Sequence, residues 1–453
     1  MIQTFTHPRS CDFSPEFALF VNGHPVEVLR TDAADFANFV YDATQGPIEV
    51  VVRRLTGEIP RYALRPLSLE LQGELREDGA LVFEMAAAHK LSVEIDGCRP
   101  LYVWANPPEV DVPSEDDPDV LYFKSGQIYE VGRLEMHAGQ TLYIEGGAVL
   151  KGRVSAKNAD NLTIRGFGIF DGSYFGTKFQ DGAKSIFFER CKNVVVRDIT
   201  MIRPSAWMIV PGACERVEVA NVKQIGEVVC SDGIDIVGSK HVHVHDCFLH
   251  NNDDCVVIKA FSMKNRKHAD FSADLRISPE DILIENCTLA NDPAGNAMEI
   301  GHELSVDRVS GVTFRNIDVL SVHGQGAVFS IHNNDRAVVE DILFEDIRIE
   351  HCWDKFIDFR VSRSRFSSDN ERGHIRNVTL RDINWLRGDN NEGYTVSLMG
   401  GWDEDHRVED IRLENICING QPIEHVDELE ITTRYAQGIR LVERSAPSLV
   451  NSQ

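Results

Sequence analysis

The amino-acid sequence predicts an all-β protein in which a right-handed parallel β-helix follows a small N-terminal β-sandwich. Two observations predict this architecture. One short strand pattern returns many times in the second half of the chain, and short alternating strands without that pattern occupy the first 120 residues. With 453 residues, of which 43% are hydrophobic, the chain is long enough for two or three domains with substantial cores.

The first 120 residues alternate between apolar and polar positions, as half-buried strands do. The segments PIEVVVRRL, LSLELQGEL, ALVFEM and KLSVEIDG are separated by turn-forming residues such as Asp78 and Gly79. This pattern predicts a β-sandwich over residues 1–120, which we expect to cap the first coils of the β-helix. The acidic, proline-rich stretch Pro107–Asp119 has the composition of an exposed loop and marks the boundary.

The remainder of the chain is dominated by a repeated strand pattern. The pattern appears as NVVVRDI, RVEVANV, HVHVHDC, DILIENC, GVTFRNI, DILFEDI, NVTLRDI and DIRLENI, starting at Asn193, Arg216, His241, Asp281, Gly311, Asp341, Asn377 and Asp410. The intervals of roughly two dozen to forty residues suit one coil of a solenoid. A leucine-rich repeat would need tighter Leu and Asn positions, and a propeller would need four strands in each longer unit. Few intervening segments show helical periodicity, so a parallel β-helix over residues 121–435 is predicted, with residues 436–453 as a C-terminal tail.

Asparagine and aspartate recur at the end of each strand pattern. Asn286, Asn316 and Asn415 stand where the chain must bend, and these residue types tolerate the left-handed backbone conformation of tight turns. We therefore interpret them as structural residues.

Charge, cysteine usage and the N-terminus restrict the classes of function. A formal net charge of −25 without a basic stripe disfavours a nucleic-acid partner. Residues 1–20 contain charges where a secretory signal needs an apolar core, and no later segment resembles a membrane span, so we expect a cytoplasmic protein without membrane contact. The ten cysteines lack zinc-ligand spacing and are predicted to be reduced, with no metal and no cofactor. A homo-oligomer is compatible with the sequence.

The candidate site is a set of three aspartates in the segment Cys230–Ala260. Asp232 precedes the pair Asp253 and Asp254 by about one coil, so the three carboxyl groups should converge on neighbouring coils. Like charges held close together raise at least one pKa, which produces a protonated acid beside an ionised base. Glycoside hydrolysis needs that pair. A structural role in turns and a calcium site are the alternatives, although no glycine-spaced calcium loop is present.

The same segment resembles the core motifs of the polygalacturonases, glycoside hydrolase family 28. Ser231–Asp235 corresponds to the first motif and Asn252–Cys255 to the second, while VVIKA, Val256–Ala260, is similar to exo-acting members. GFGIFDGS, from Gly166, and RPSAWMIVP, from Arg203, match two further motifs. The resemblance implies hydrolysis with inversion, with Asp253 or Asp254 as the general acid and the other two aspartates as the base pair that positions water. Lys259 is one strand register beyond the pair, so we expect it to point into the same cleft, to hold a substrate oxygen or to tune an acid.

Two family motifs are altered in this chain. Gly301-His302-Glu303 aligns with the third motif, which would make His302 a neighbour of the aspartates, but a second alignment puts the loop Asn291–Asn296 there instead. The fourth motif supplies Arg and Lys for the uronate carboxylate in polygalacturonases. Here it falls on Phe329–His332, which contains neither. Lys259 is then the one cation expected near the aspartates, and the resemblance to polygalacturonases does not extend to a uronate substrate.

The two-domain plan and the three aspartates also resemble the dextranase and isopullulanase family, glycoside hydrolase family 49. We therefore expect cleavage of an α-glycosidic bond in a neutral oligo- or polysaccharide. The alternatives are a polygalacturonase or exo-galacturonidase, a polysaccharide lyase and a non-catalytic glycan-binding β-helix. Further substrate contacts are expected from an aromatic ring and from polar residues on later coils, namely Trp207, His332, Asn333 and Arg360.

Overall fold

A computed structural model describes residues 2–176, 184–263, 273–388 and 396–442 of the chain. Almost all regular structure in these ranges is β-strand. The short 3₁₀ helices described are Ala43–Gln45, Leu67–Leu69, Gly172–Phe175 and Val426–Leu429. The described residues include no helix with the length and apolar character that a membrane span requires. All ten cysteines are free.

The N-terminal domain is a β-sandwich, as predicted. One sheet contains Ile2–Thr4, Val28–Arg30, Asp35–Tyr41, Tyr62–Arg65, Lys90–Ile95 and Leu101–Asn106. The facing sheet contains Phe17–Val21, His24–Val26, Ile48–Arg54, Gly73–Leu75 and Leu81–Met85. Alternate side chains of both sheets meet in one apolar core, for example Phe39 and Val103 from the first sheet and Val50 from the second.

The rest of the described chain forms a parallel β-helix, also as predicted. Its 29 strands are Val120–Phe123, Ile128–Glu135, Thr141–Ile144, Val149–Lys157, Leu162–Arg165, Ile169–Asp171, Ile186–Glu189, Lys192–Arg197, Thr200–Ile202, Ile209–Gly212, Glu215–Ala220, Lys223–Gly226, Ile234–Val237, Lys240–His245, Phe248–Asn251, Val256–Ala260, Glu280–Asn291, Met298–Leu304, Arg308–Val322, Ala327–Asn333, Val338–Ile349, Lys355–Val361, His374–Trp385, Ser397–Gly400, Val408–Ile418, Gln421–Pro422, Ile431–Arg434, Ala436–Gln437 and Arg440–Val442.

These strands stack into three parallel ladders. Ladder A contains the repeated pattern, from Lys192–Arg197 to Val408–Ile418. Ladder B follows it in each coil and includes Lys223–Gly226 and Phe248–Asn251. Ladder C closes each coil and is defined by the strands Ile186–Glu189, Ile209–Gly212, Ile234–Val237, Val256–Ala260, Met298–Leu304, Ala327–Asn333, Lys355–Val361, Ser397–Gly400 and Ile431–Arg434.

The predicted turn residues adopt the expected backbone conformation. Asn286, Asn316 and Asn415 have φ values of 55°, 50° and 53°, and each lies between the ladder A and ladder B parts of one long strand. Their amides also stack from coil to coil, since Asn316 Nδ2 donates to Asn286 Oδ1 over 2.8 Å. Inward-facing Val, Ile, Leu and Phe side chains fill the core along the whole axis.

The expected position of the sandwich as an end cap is wrong, because the sandwich packs along the side of the β-helix. Tyr102 and Trp104 point out of the sandwich and contact Phe248 of ladder B, with ring centroids 4.7 Å and 5.7 Å from it. The same apolar cluster extends from Val149 to Leu320, which spans many coils. Strand Leu101–Asn106 is therefore buried on both faces.

Two boundaries can be compared with the predicted ones. The last sandwich strand ends at Asn106 and the first β-helix strand begins at Val120. The tail predicted from residue 436 still contains the strands Ala436–Gln437 and Arg440–Val442, which pair with Val408–Ile418. Residues 443–453 of that tail lie outside the described residues.

Candidate active site

The outer face of ladder C carries a row of buried ion pairs, which we call the charged floor: Asp235, Lys259, Glu299, His332, Asp358 and Arg360. Strand register places the three acids on every second coil of one column. Lys259 Nζ lies 2.7 Å from Asp235, and His332 lies 3.1 Å from Glu299 and 3.3 Å from Asp358. Arg360 donates to Asp358 over 2.7 Å. Most of these side chains are less than a tenth exposed, so the pairs are desolvated.

The loops that connect ladder B to ladder C stack directly above this floor. They carry Asp232, then Asp253 and Asp254, and then the segment Asp292–Asn296. The stacking is close: a Cβ atom on Gly295 would lie 2.3 Å from the Asp254 nitrogen, and one on Gly326 would lie 1.6 Å from the Gly295 oxygen. Glycine at these two positions therefore lets successive loops approach within backbone contact.

Loops and floor together enclose a cleft of about 750 Å³. On the far side, the loops that follow the ladder C strands contribute Met263 and Phe366, and the ladder C strand Met298–Leu304 contributes Glu303. The charged or polar residues that line the cleft are Lys184, Asp232, Asp253, Asp254, Lys259, Asn296, His302, Glu303, Gln325, His332, Asp358, Arg360 and Arg365.

The three predicted aspartates converge at this cleft. One carboxylate oxygen of each lies within 4.8 Å of the others. Asp232 and Asp254 are 3% and 5% exposed. Asp254 Oδ1 accepts from the backbone nitrogen of Asn296 over 2.8 Å and from its side-chain amide over 2.9 Å. Asp253 accepts from the backbone nitrogens of Cys230 and Asp254.

Burial and mutual repulsion separate the protonation states of these groups. Burial, together with the Asp232 carboxylate, raises the pKa of Asp253 to about 7. Burial, followed by the charges of Asp253 and Glu299, raises the pKa of Asp254 well above its usual range. The cluster therefore holds at least one proton at neutral pH, while Asp232 is paired with the Lys259 ammonium at 2.8 Å.

Lys259 is the central cation of the site. Burial alone would lower its pKa, but Asp232 and Asp235 outweigh that effect and raise it well above its usual range, so the side chain stays charged. Its Nζ atom lies 4.1 Å from the centroid of the Trp207 ring, and that of Lys184 lies 4.8 Å from it. Trp207 thus makes cation–π contacts inside the cleft.

Glu299 and His332 form a second buried pair next to Asp254. Burial would raise the pKa of Glu299, but His332 holds it at about 2, and Glu299 in turn raises the pKa of His332 to about 9 against the effect of burial. His332 is therefore a cation at neutral pH and Glu299 an anion. The negative charge of Glu299 helps to keep Asp254 protonated.

His302 is a neutral histidine at the cleft wall. Burial and the neighbouring His332 lower its pKa to about 4. Asn334 donates its amide to His302 Nδ1 over 3.1 Å, which leaves the proton on Nε2. The His302 and His332 rings are parallel, with centroids 4.4 Å apart.

Two residue groups have donor atoms close enough together to share a metal ion: the three aspartates, and Glu299 with His302 and His332. In the second group the parallel rings direct their in-plane lone pairs side by side and not toward one point. That geometry does not suit chelation by both histidines.

The structure brings together most of the residues predicted from the sequence. Trp207, Lys259, His302, His332 and Arg360 line the cleft with the aspartates. Asn333 does not line it, because its buried amide donates to the backbone oxygens of Ala337 and His374. Besides Lys259, the cations Lys184, Arg360 and Arg365 also line the cleft, and of these only Arg360 was among the predicted substrate contacts.

Sequence reasoning missed several residues of the site, among them Asn296, Glu299, Asp358 and Arg365. Asn296 is the last residue of the loop Asn291–Asn296, which the second alignment places at the third motif, so that alignment contained a usable signal. Glu299 and Asp358 each stand in a strand pattern, MEIGHEL and KFIDFRV, where an acid interrupts apolar residues. Arg365 is in an irregular segment without a pattern.

Comparison with known proteins gives consistent results. The family described as glycosyl hydrolases family 28 matches residues 133–433. A polygalacturonase of Chamaecyparis obtusa is 32% identical over 76 residues, which are 16% of this chain and 15% of that protein. A probable endopolygalacturonase D of Aspergillus flavus is 25% identical over 184 residues, or 40% of this chain and 33% of that protein. The matched segments thus span a third or less of these relatives.

Two solved structures share the fold over larger parts of the chain. Dex49A from Penicillium minioluteum has a TM-score of 0.65 at 13% identity, covering 97% of this chain and 96% of its own. The polygalacturonase from Erwinia carotovora ssp. carotovora has a TM-score of 0.50 at 14% identity, covering 70% and 87%. The match to the family extends over well more than half of the 453 residues. The chain therefore belongs to glycosyl hydrolases family 28.

Proposed function

We propose that this protein hydrolyses an α-glycosidic bond of an oligo- or polysaccharide, with Asp254 as the general acid and with Asp232 and Asp253 as the pair that positions water. The observation that carries the proposal is the convergence of three carboxyl groups within 4.8 Å at the edge of a cleft. Their environments differ, as acid/base catalysis by carboxyl groups requires.

The hydrogen bonds of Asp254 suit a proton donor. Both Asn296 donors reach the same oxygen, Oδ1, so that oxygen acts as the carbonyl of a protonated carboxyl group. The proton then resides on Oδ2, from which it can pass to the leaving glycosidic oxygen. Glu299 and Asp253 keep this group protonated.

The other two aspartates suit activation of water. Lys259 Nζ donates to Asp232 Oδ2 over 2.8 Å and so fixes the orientation of that carboxylate. Two backbone nitrogens donate to Asp253, which favours its ionised form against the effect of burial. A water molecule that donates to both carboxylates would be oriented for attack on the anomeric carbon as the acid protonates the leaving group.

Inversion of the anomeric configuration rests on the family membership and not on the carboxylate spacing. The 4.8 Å limit applies to one oxygen from each carboxyl group, whereas retaining and inverting enzymes differ in the separation of whole carboxyl groups. We expect the first product seen by NMR to have the inverted configuration. A retained first product would show that one carboxylate attacks the sugar directly.

The substrate proposed from the sequence is a neutral glycan. A second candidate substrate is a glycan with uronate residues. Two arginines that line the cleft, Arg360 and Arg365, favour it. Arg360 is paired with Asp358, whereas the Arg365 guanidinium lies 4.7 Å from the Phe366 ring centroid. Either arginine could offset a sugar carboxylate.

A panel of neutral and uronate α-linked oligosaccharides in ¹⁸O-labelled water tests both the reaction and the substrate. Hydrolysis predicts shorter sugars that carry one ¹⁸O atom, and the faster substrate class identifies the substrate. The triple variant Asp232→Asn, Asp253→Asn and Asp254→Asn is the control for contaminating activity. An unsaturated product that absorbs in the ultraviolet and lacks ¹⁸O would replace this proposal with a lyase, and glycan binding without turnover would replace it with a binding module.

A further inference from the structure

A hydrogen-bonded chain leads from the N-terminal sandwich to the loop beside the aspartates. The hydroxyl of Tyr102, on the sandwich strand Leu101–Asn106, lies 2.8 Å from Nδ1 of His250 on ladder B. Nε2 of His250 lies 2.6 Å from Oδ2 of Asp292. Tyr102 and His250 are 3% and 4% exposed, so solvent does not compete for these bonds.

The direction of the chain follows from the protonation of its members. Burial, with the nearby Asp292 charge, raises the pKa of Tyr102 well above its usual range, so the phenol keeps its proton and can donate to His250 Nδ1. The Asp292 carboxylate can only accept, so His250 donates to it from Nε2. Burial would raise the pKa of Asp292, but the hydrogen bond and charge of His250, together with the charge of His323, outweigh that effect and lower the pKa below its usual value. Asp292 is thus an anchored carboxylate.

Asp292 is the first residue of the loop that makes hydrogen bonds to the proposed general acid, Asp254. Four residues later, Asn296 makes both hydrogen bonds to Asp254 Oδ1. Between them, Gly295 packs against the backbone of Asp253 and Asp254 with no room for a Cβ atom. The amide of Asn291, just before the loop, donates to the backbone oxygen of Asp253 over 2.7 Å. A displacement of Asp292 would therefore be transmitted to the aspartates.

We infer that Tyr102, His250 and Asp292 are positioning residues for catalysis, and that the N-terminal sandwich supports the active site through Tyr102. The inference rests on the proposed function, because it assigns the chain to the positioning of Asp254 as an acid. None of the three residues lines the cleft, so they act on substrate only through Asn296 and the loop.

The matched pair Tyr102→Phe and Tyr41→Phe tests this inference. Tyr41 is a buried sandwich tyrosine whose hydroxyl donates to the Gly46 oxygen over 2.7 Å, remote from the aspartates. Loss of the Tyr102 hydroxyl is expected to lower kcat by about tenfold or more, because small misplacements of an acid are costly. KM should change by less than about twofold, since the substrate contacts remain. Tyr41→Phe should leave both constants unchanged. Equal losses of kcat in the two variants would overturn the inference.

The pH profile and a conservative replacement separate positioning from general damage. Charged or titratable groups around Asp254 are Asp253, Glu299, Asp232 and Lys259, and none of them is altered in Tyr102→Phe. Weaker Asn296 donors stabilise the Asp254 anion less, so its pKa should rise and the alkaline limb of kcat should move to higher pH. Asp292→Asn keeps an acceptor for His250 and should retain more activity than Asp292→Ala. An unmoved alkaline limb with equal activity in both Asp292 variants would contradict the inference.

Amide hydrogen exchange provides a measurement that does not depend on turnover. In Tyr102→Phe the peptide that contains residues 291–297 should exchange faster than in the wild type, and in Tyr41→Phe it should not. If the wild type hydrolyses no sugar while the exchange behaves as expected, the proposed function fails and the coupling stands. If the wild type is active and Tyr102→Phe keeps its kcat and its protection, the coupling fails and the proposed function stands.

Discussion

Two stacks of alternating charges run along the β-helix, and they differ mainly in burial. The surface stack on ladder A consists of His245, Glu285, Arg315, Glu345, Arg381 and Glu414, which strand register places one above another. The charged floor on ladder C consists of the six residues defined above. In the surface stack the Arg315 and Arg381 side chains are 46% and 37% exposed, whereas Lys259 is 5% and Glu299 0% exposed in the floor.

Burial of the charged floor costs free energy of folding, whereas the exposed surface stack costs little. Exposed ion pairs contribute about 0–1 kcal/mol each, so the surface stack has little effect on folding and mainly keeps the outer face polar. Buried charges lose several kcal/mol of hydration, which pairing only partly offsets. A fold maintained for stability alone would fill the ladder C face with apolar residues, as it does the core. The charged floor is therefore best explained by the reaction that we propose above it.

The largest effect should follow from removal of the central cation of the floor. Lys259→Met leaves Asp232 and Asp235 buried without their shared ammonium, so the free energy of unfolding should fall by about 3–5 kcal/mol. Activity should also be lost, because Asp232 would lose the ammonium that holds its carboxylate in place. Chemical denaturation and kinetics on the substrate identified above measure the two effects. Lys259→Arg keeps the charge and is the control, and near-normal stability of Lys259→Met would show that the floor is not a set of coupled ion pairs.

The next effect concerns the proposed acid. Asp254→Asn keeps the size of the side chain and an acceptor for Asn296, but removes the transferable proton. We expect kcat to fall by about 100-fold or more, while the fold is kept. Asp281→Asn, at a ladder A turn where the side chain is 76% exposed, is the matched control and should be fully active. Normal turnover by Asp254→Asn would exclude it as the acid.

Asp253→Asn is expected to increase the free energy of unfolding, in contrast to the decrease expected for Lys259→Met, and by a smaller amount. Folding raises the pKa of Asp253 from 3.8 to about 7, so the stability that this group contributes is complete below pH 3.8 and is lost as the pH rises through 7. Above pH 7 the wild type must keep an ionised carboxylate in a nearly dry cluster, and Asn carries no charge. Asp253→Asn should therefore increase the free energy of unfolding at pH 8 by about 2–4 kcal/mol.

Denaturation curves at pH 4 and pH 8 measure this effect. The gain of Asp253→Asn over the wild type should shrink toward pH 4, where the wild-type carboxyl group is largely protonated. Asp281→Asn should change stability by less than about 0.5 kcal/mol at both pH values. A gain that does not depend on pH would show that Asp253 does not titrate as the structure indicates.

The sequence was sufficient for the features that repeat or that lie close together along the chain. The β-helix follows from period-two strands returning once per coil, and the turns follow from Asn at their ends. The three aspartates could be predicted because Asp232 and Asp253 lie about one coil apart, so the stacking itself brings them together. Lys259 follows from the same reasoning, since it is on the strand directly after the pair.

Features that depend on contacts between distant segments could not be predicted in the same way. Glu299 and Asp358 lie in the same column as Asp235, but the acids occupy only every second coil of that column. The loops between the strands differ in length, so the column cannot be recognised from a fixed spacing in the sequence. The side-on sandwich depends on Tyr102 and Trp104 meeting Phe248 across more than 140 residues, as the Tyr102–His250 separation of 148 also shows. The strand Asp35–Tyr41 did contain a signal, since DFANFVY is buried on both faces and lacks simple alternation.

The smallest effect is expected in the surface stack, and it completes the comparison. Arg315 Nη2 donates to Glu285 over 2.5 Å, a geometry as close as any in the floor, but the Arg315 side chain is nearly half exposed. Water and salt screen such a pair, so Arg315→Ala should change the free energy of unfolding by less than about 1 kcal/mol and leave kcat unchanged. Denaturation at low and high salt measures it, and any loss should diminish at high salt. A loss as large as that of Lys259→Met would mean that stacking along the solenoid, and not burial, makes these ion pairs strong.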